Sequence, residues 1–345
     1  MVRSIAKCVA VPTNYAQRVL EELRRHGVYL EKCSAERIGR IVLIPVKDLE
    51  RALRILNRIP FIESVEYVVK CREHFDLRTL LSRYVPREVV EQIPRSFDIV
   101  GDIALIELED RVAERFGSII ARAIMELQPH VKTVYARGPT VGTERVRVLR
   151  FLGGEPKTRT IHREHGIRIV VDVARAYFNP SLATERSLVA SEIPRNSIVL
   201  DLFTGVGPFA LHIARRVETY IVACDINVDA LQLLRESLSL NKLKGFVEPL
   251  HIDSIEMIKG GFLRDRFDAV IANLPHKAPD LVPWILDVLR RRGRAYVYAV
   301  CSDVTEARML FENLCRRYGC VIETIRRVLD YAPRKIIARA TLIKI

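Results

Sequence analysis

The sequence predicts an α/β protein: a C-terminal, largely parallel sheet covered by helices on both faces, preceded by two smaller α/β units. Three observations carry this. Apolar, strand-like runs at 197–202, 219–225, 247–253, 267–273 and 294–300 alternate with helical segments, and such alternation marks a parallel sheet buried on both faces. The runs at 321–328 and 336–344 have no helix between them, as expected of a closing hairpin. The first 166 residues alternate shorter strand and helix signals, and 345 residues suffice for two or three domains. The expected divisions are 1–72, 73–166 and 167–345.

Taken in order, 6–11 reads as a strand and 15–26 as an amphipathic helix, with Asn14 as N-cap and Gly27 ending it. A strand at 40–45, a helix at 49–59 and a strand at 61–69 complete the first unit. A polar connection at 74–85 leads to strand, turn and strand over 97–107, with the turn at Gly101-Asp102. A helix follows at 111–127, then strands at 133–137, 145–151 and 158–164. Residues 138–143 read as an exposed loop, and Gly153-Gly154 and Gly166 as turns.

Lysine and arginine number 55 against 42 acidic residues, a net charge of +13. That field attracts polyanions, nucleic acid foremost, although a merely basic soluble protein fits as well. No run approaches the roughly 18 apolar residues of a membrane span, and Met1–Lys7 lacks the apolar core of a secretory signal, so a cytoplasmic location is expected. The seven cysteines form no Cys-x-x-Cys pair, so no metal or redox site is expected. Cys315 and Cys320 are close enough for a disulfide, but reduced thiols are the cytosolic default. His162 and His165 are expected to be exposed or to face RNA, not to bind metal.

The strongest local motif is Asp201-Leu-Phe-Thr-Gly205-Val-Gly207-Pro208-Phe-Ala210. Its glycines allow a sharp turn and close backbone approach to a ligand, and Pro208 suits a first helical turn. With Asp225 downstream, the loop also fits a dinucleotide fingerprint. Three further features separate the alternatives. Asp201 lies where it meets the cationic methionine part of S-adenosylmethionine. Asp253, at the end of the third strand, reaches an adenine amino group. Asn273-Leu-Pro275 ends the fourth strand, where methyltransferases acting on nitrogen carry Asn/Asp-(Pro/Leu)-Pro. All lie at carboxyl strand ends, where open α/β sheets bind ligands.

The chain resembles the archaeal and eukaryotic-type tRNA (guanine-37-N1)-methyltransferases. The resemblance rests on Arg145-Val-Arg-Val-Leu-Arg-Phe-Leu-Gly-Gly-Glu155, Thr160-Ile-His-Arg-Glu-His-Gly166, Val171-Asp-Val-Ala-Arg-Ala-Tyr177-Phe-Asn-Pro180-Ser-Leu-Ala-Thr-Glu185-Arg186, the glycine loop, Asp225-Ile-Asn227, Asn273-Leu-Pro275 and Tyr331-Ala-Pro-Arg334. It implies a Rossmann-like class I methyltransferase catalytic domain behind two smaller α/β domains, the first touching the tRNA. S-adenosylmethionine is the implied cofactor, tRNA the partner, and a monomer the implied state, without membrane. Glu185 is the implied base for guanine N1, Arg145 the charge for O6, and Asn273 the group orienting the base edge. Tyr177 and Pro275 would pack beside the base. Arg186, Asp201, Phe203, Gly205, Gly207, Asp225, Ile226, Asp253 and Asn273 would hold the cofactor. A sister family transferring an aminocarboxypropyl group shares the fold; the Asn273-Leu-Pro275 and Glu185-Arg186 combination favours methyl transfer.

Without the resemblance, each residue has a plainer reading. Glu185 is an acid at a helix start, Arg145 an edge charge, and Tyr177 a core ring.

Overall fold

A strand whose residues alternate faces must bury one or both of them, and the chain does this in two compact units, residues 1–76 and 77–345. The computed structural model describes residues 2–31, 33–57, 59, 63–71, 76–142 and 146–345. The first unit is a four-stranded sheet in the order β2-β3-β1-β4, with β1 Val2–Pro12, β2 Glu36–Ile38, β3 Ile41–Pro45 and β4 Glu63–Cys71. Helices α1 (Ala16–Arg25) and α2 (Leu49–Ile55) complete it. Val9, Val11 and Ile44 pack with Val19, Leu23 and Ala52 of the helices. The α1 cap is Tyr15, with no side-chain cap bond, and not Asn14. Asp48 caps α2 by accepting from Arg51 N. Cys33 is disulfide-bonded.

The second unit opens with two short helices, α3 Leu77–Leu81 and α4 Arg87–Val90. The first corrects the expected connection: Leu77, Leu80 and Leu81 are buried, so spacing outweighed polar flanks. A sheet in the order β5-β6-β7-β8 follows, made of β5 Asp98–Val100, β6 Ile103–Glu107, β7 Thr133–Val141 and β8 Val146–Gly154, packed against α5 (Asp110–Leu127). β7 extends to Val141, into the segment 138–143 expected as a loop, pairing Thr140 with Arg147. A hairpin of β9 (Arg159–Glu164) and β10 (Ile167–Asp172) turns at His165-Gly166. It spans the division expected at 166.

The remaining chain forms seven strands in the order β13-β12-β11-β14-β15-β17-β16: β11 Ser197–Asp201, β12 Thr219–Asp225, β13 Phe246–His251, β14 Phe267–Ala272, β15 Leu289–Cys301, β16 Cys320–Ala332 and β17 Lys335–Lys344. β11 to β15 pair in parallel, while β17 is antiparallel to β15 and to β16. Helices α6 (Ala183–Glu192), α7 (Pro208–Arg216), α8 (Val228–Leu240), α9 (Ser254–Lys259), α10 (Val282–Val288) and α11 (Val304–Tyr318) connect them. Alternation assigns the faces. Val199, Ile221, Ile271, Tyr296, Tyr298 and Ile337 pack with the apolar residues of α6, α7 and α8. Their neighbours Leu200, Cys224, Val270, Val297 and Ala338 pack with those of α9, α10 and α11. Cys315 and Cys320 are joined as a disulfide that ties the end of α11 to the start of β16. No helix among the described residues is long and apolar enough to cross a membrane.

A candidate cofactor crevice and a buried carboxylate

The glycine loop links β11 to α7 at the carboxyl edge of the parallel strands. Gly205 and Gly207 take φ of 55° and 75°, the left-handed region that glycine occupies without strain. A Cβ on Gly207 would lie 2.2 Å from Leu234 Cδ1, so a larger residue would have to displace that side chain as well as bear the strained φ. Asp225, at the end of β12, fastens the loop: its Oδ2 accepts from Gly205 N at 2.7 Å and its Oδ1 from Asn227 N at 2.9 Å. Ile226 beside it is exposed, and Phe203 is half-buried.

Asp201 ends β11 and is fully buried. Its Oδ2 accepts from the Thr204 hydroxyl at 2.9 Å, whereas Oδ1 has no hydrogen-bond partner among the described residues. Burial pushes its carboxyl up to about 7; the nearby Asp225 charge adds to this and the Thr204 bond opposes it. A buried acceptor without a donor costs energy, so this oxygen suits a cation. Asp253 lies two residues beyond β13, not on it, and caps α9 by accepting from Ile255 N at 2.9 Å. Asn273 and Pro275 follow β14 and are half-buried. The ring of the next residue, His276, meets the Tyr331 hydroxyl at 3.0 Å. The tip of the β16–β17 hairpin therefore contacts the Asn-Leu-Pro loop.

Glu185 is on α6 and 4 % exposed. Its Oε1 accepts from the Tyr298 hydroxyl at 2.9 Å and lies 3.3 Å from Arg339 Nε. Among the described residues its Oε2 has no hydrogen-bond partner, Arg326 Nε being 3.6 Å away. Burial, reinforced by the Glu185 charge, holds the Tyr298 phenol well above its ordinary value, so Tyr298 remains a donor. The Tyr298 ring also lies 6.0 Å from Phe209 of α7. One side chain thus connects Glu185 to the helix that follows the glycine loop.

Arg186 is also buried, and two of its nitrogens are taken. Nη1 donates to both Glu164 oxygens at 2.9 and 2.8 Å, and Nη2 donates to the Asn179 carbonyl at 2.6 Å. His212 of α7 shares Glu164 at 2.8 Å. His162 corrects its expectation: its side chain is 14 % exposed, its Nδ1 accepts from Gly101 N at 3.2 Å, and its ring packs on Phe178. His165 is exposed in the β9–β10 turn.

Tyr177 is half-buried beneath the guanidinium of Arg147, 5.0 Å from the ring centre. Arg147 Nη1 is buried with no hydrogen-bond partner among the described residues. Arg145 lies outside the described residues. Sequence reasoning missed Arg147, Tyr298, Arg339 and Glu164. The basic alternation of Arg145 and Arg147 in a sequence segment read as a strand was the available signal for Arg147; nothing local marks the others.

The model of the TRM5/TYW2 methyltransferase domain matches residues 160–323, and that of the TYW2 N-terminal domain matches 77–158. Trm5b of Pyrococcus abyssi, a tRNA (guanine(37)-N(1))-methyltransferase, is 33 % identical over 333 residues, 95 % of this chain and 96 % of its own. Its crystal structure superposes with a TM-score of 0.70, at 31 % identity, covering 99 % and 100 % of the two chains. The Methanocaldococcus jannaschii enzyme of the same name is 35 % identical over 306 residues, 87 % of each chain. A structure of the M. jannaschii protein in complex with adenosine has a TM-score of 0.67 at 30 % identity, covering 98 % and 99 %. A complex of an archaeal Trm5 with leucine tRNA has a TM-score of 0.69 at 29 % identity, covering 98 % and 99 %. Together with the glycine loop, Asn273-Leu-Pro275 and the buried Glu185, these likenesses identify the chain as a member of the TRM5/TYW2 methyltransferase family, on its tRNA (guanine(37)-N1)-methyltransferase branch.

Proposed function

We propose that the chain transfers a methyl group from S-adenosylmethionine to N1 of guanine 37 in tRNA, with Glu185 as general base. The observation that carries the reading is Glu185 itself: a buried carboxylate with one oxygen anchored and the other without a hydrogen bond among the described residues.

Guanine N1 holds a proton at neutral pH and is a poor nucleophile until it leaves. Oε2 of Glu185 accepts that proton, a role that positioned carboxylates fill, while N1 bonds to the methyl carbon and that carbon's bond to the sulfonium sulfur breaks, leaving a neutral thioether. Negative charge then gathers on O6, and we assign its stabilisation to Arg145, as in an oxyanion hole. Asn273 orients the base edge, and Tyr177, stiffened by Arg147, replaces the stacking a displaced base loses. S-adenosylmethionine supplies an activated methyl group on a sulfonium. Its holders would be Asp201, the backbone of Phe203, Gly205 and Gly207, Asp225, Ile226, Asp253 and Asn273. Arg186, committed to Glu164, would act by bracing α6.

The unpartnered Asp201 oxygen makes a pH prediction. Its raised carboxyl must be ionised to meet a cation, so binding below about pH 7 releases a proton. Cofactor affinity, measured calorimetrically without tRNA, should be level above that pH and weaken by up to about tenfold per unit below it. An affinity unchanged between about pH 5 and 8 would remove Asp201 from this role.

Activity is tested with unmodified tRNA transcripts and methyl-labelled S-adenosylmethionine, followed by nucleoside analysis. Label in 1-methylguanosine is the expected result. Label on another nitrogen, or an added mass matching an aminocarboxypropyl group, would overturn it.

A further inference from the structure

The three groups around Glu185 occupy a single cross-strand row. Tyr298 of β15 is the register partner of Arg339 of β17, and Arg339 is in turn the partner of Arg326 of β16. Cross-strand partners share a face, and this row faces α6. Two arginines directly opposite one another destabilise a sheet unless an anion lies between them. Glu185 is that anion, 3.3 Å from Arg339 and 3.6 Å from Arg326. Arg339 has a second hold on the same helix. Its Nη2 donates to Glu192 Oε1 at 2.9 Å, and Glu192 stands seven residues after Glu185, two turns along the same face.

Arg339 and Tyr298 are 1 % and 0 % exposed. Burying a guanidinium and a phenol is costly unless each has a defined partner. Yet Arg339 Nη1 and Nε make no hydrogen bond of good geometry among the described residues. An arrangement selected for stability alone would satisfy these donors. Here Arg339 Nε lies beside one carboxylate, on its Oε1 side. The Arg326 side chain, 39 % exposed, borders Oε2.

We infer that Tyr298 and Arg339 are positioning residues for the methyl transfer: they fix Oε1 of Glu185 so that the Oε2 lone pair is presented to the guanine N1 proton. The inference rests on Glu185 being the base. Tyr298 acts through that carboxylate, which makes its effect conditional on it, whereas Arg339 also holds Glu192.

The test is a double-mutant cycle on the full chain, read as single-turnover methyl transfer at saturating cofactor and tRNA. Tyr298→Phe removes one oxygen and should slow transfer by about 10- to 100-fold, the worth of a hydrogen bond to a charged group. Cofactor Kd and the KM for tRNA should stay within about twofold. In a Glu185→Gln background the same change should have no further effect, because the group it positions is gone. Arg339→Lys should keep more activity than Arg339→Met. Equal losses from Tyr298→Phe in both backgrounds would show a general packing role and overturn the inference, as would an unchanged rate in Tyr298→Phe beside an inactive Glu185→Gln. Full activity in Glu185→Gln would instead overturn the base assignment itself, and this inference with it.

Discussion

Single-turnover methyl transfer should fall by about 10²- to 10⁴-fold when Glu185 is replaced by glutamine, the usual contribution of a positioned general base. The amide keeps the size of the side chain and can still accept from Tyr298 at Oε1, so little of the packing changes. What is lost is a lone pair able to take a proton at Oε2, the oxygen without a hydrogen bond among the described residues. Substitution also leaves Arg339 and Arg326 facing each other without an anion between them, which should lower thermal stability modestly. Cofactor affinity should hold, because the glycine loop is fastened by Asp225 and not by Glu185. A rate within about threefold of the unaltered chain would remove Glu185 as the base.

The second large effect concerns stability. Replacing Glu164 by alanine should cost about 3–5 kcal/mol, because a buried guanidinium loses its counter-charge. Arg186 is 2 % exposed and gives Nη1 to both Glu164 oxygens, and His212 is 4 % exposed on the same carboxylate. Those contacts join β9, α6 and α7, the last two carrying Glu185 and following the glycine loop. Chemical denaturation followed by circular dichroism reads the loss directly. A cost below about 1 kcal/mol would mean the network contributes no more than a surface pair.

The same network predicts acid sensitivity. Burial opposes the charge of Glu164, but the bonds from His162 and His212 and the charge of Arg186 prevail and hold it well below its ordinary value of 4.5. The stability it contributes is therefore present above that value and is lost as pH falls toward the folded one. Burial likewise holds His212 below its ordinary 6.5, outweighing its bond to Glu164. The unfolded chain then takes up that proton first, so stability also declines as pH drops below about 6.5.

What could be read from the sequence was what is local. Gly205, Gly207 and Pro208 announce a turn and a helix start because φ and the missing N–H are properties of single residues. The parallel strands were visible as apolar runs, and the closing hairpin as two runs without a helix between them. What escaped depends on partners far apart in the chain. Tyr298 meets Glu185 across 113 positions and Arg339 meets Glu192 across 147, and no spacing rule reaches that far. The short strand β10 was missed because Gly166 reads equally as a turn or as a boundary. His162 looked exposed among basic neighbours, yet alternation along β9 turns it inward while Ile161 and Arg163 face out. Cys315 and Cys320 show the limit of composition: cytosolic usage argued for thiols, while the turn between α11 and β16 brings their Cα atoms to 4.5 Å and joins them.

The most direct measurement is the position of the transferred methyl group on tRNA. After reaction with labelled S-adenosylmethionine, nuclease fragments of the tRNA are separated and the labelled base is located, in parallel with a transcript carrying adenine in place of guanine 37. Label confined to the fragment containing guanine 37, and absent from the substituted transcript, is the outcome this account requires. Label elsewhere in the tRNA, or label retained in the substituted transcript, would contradict it.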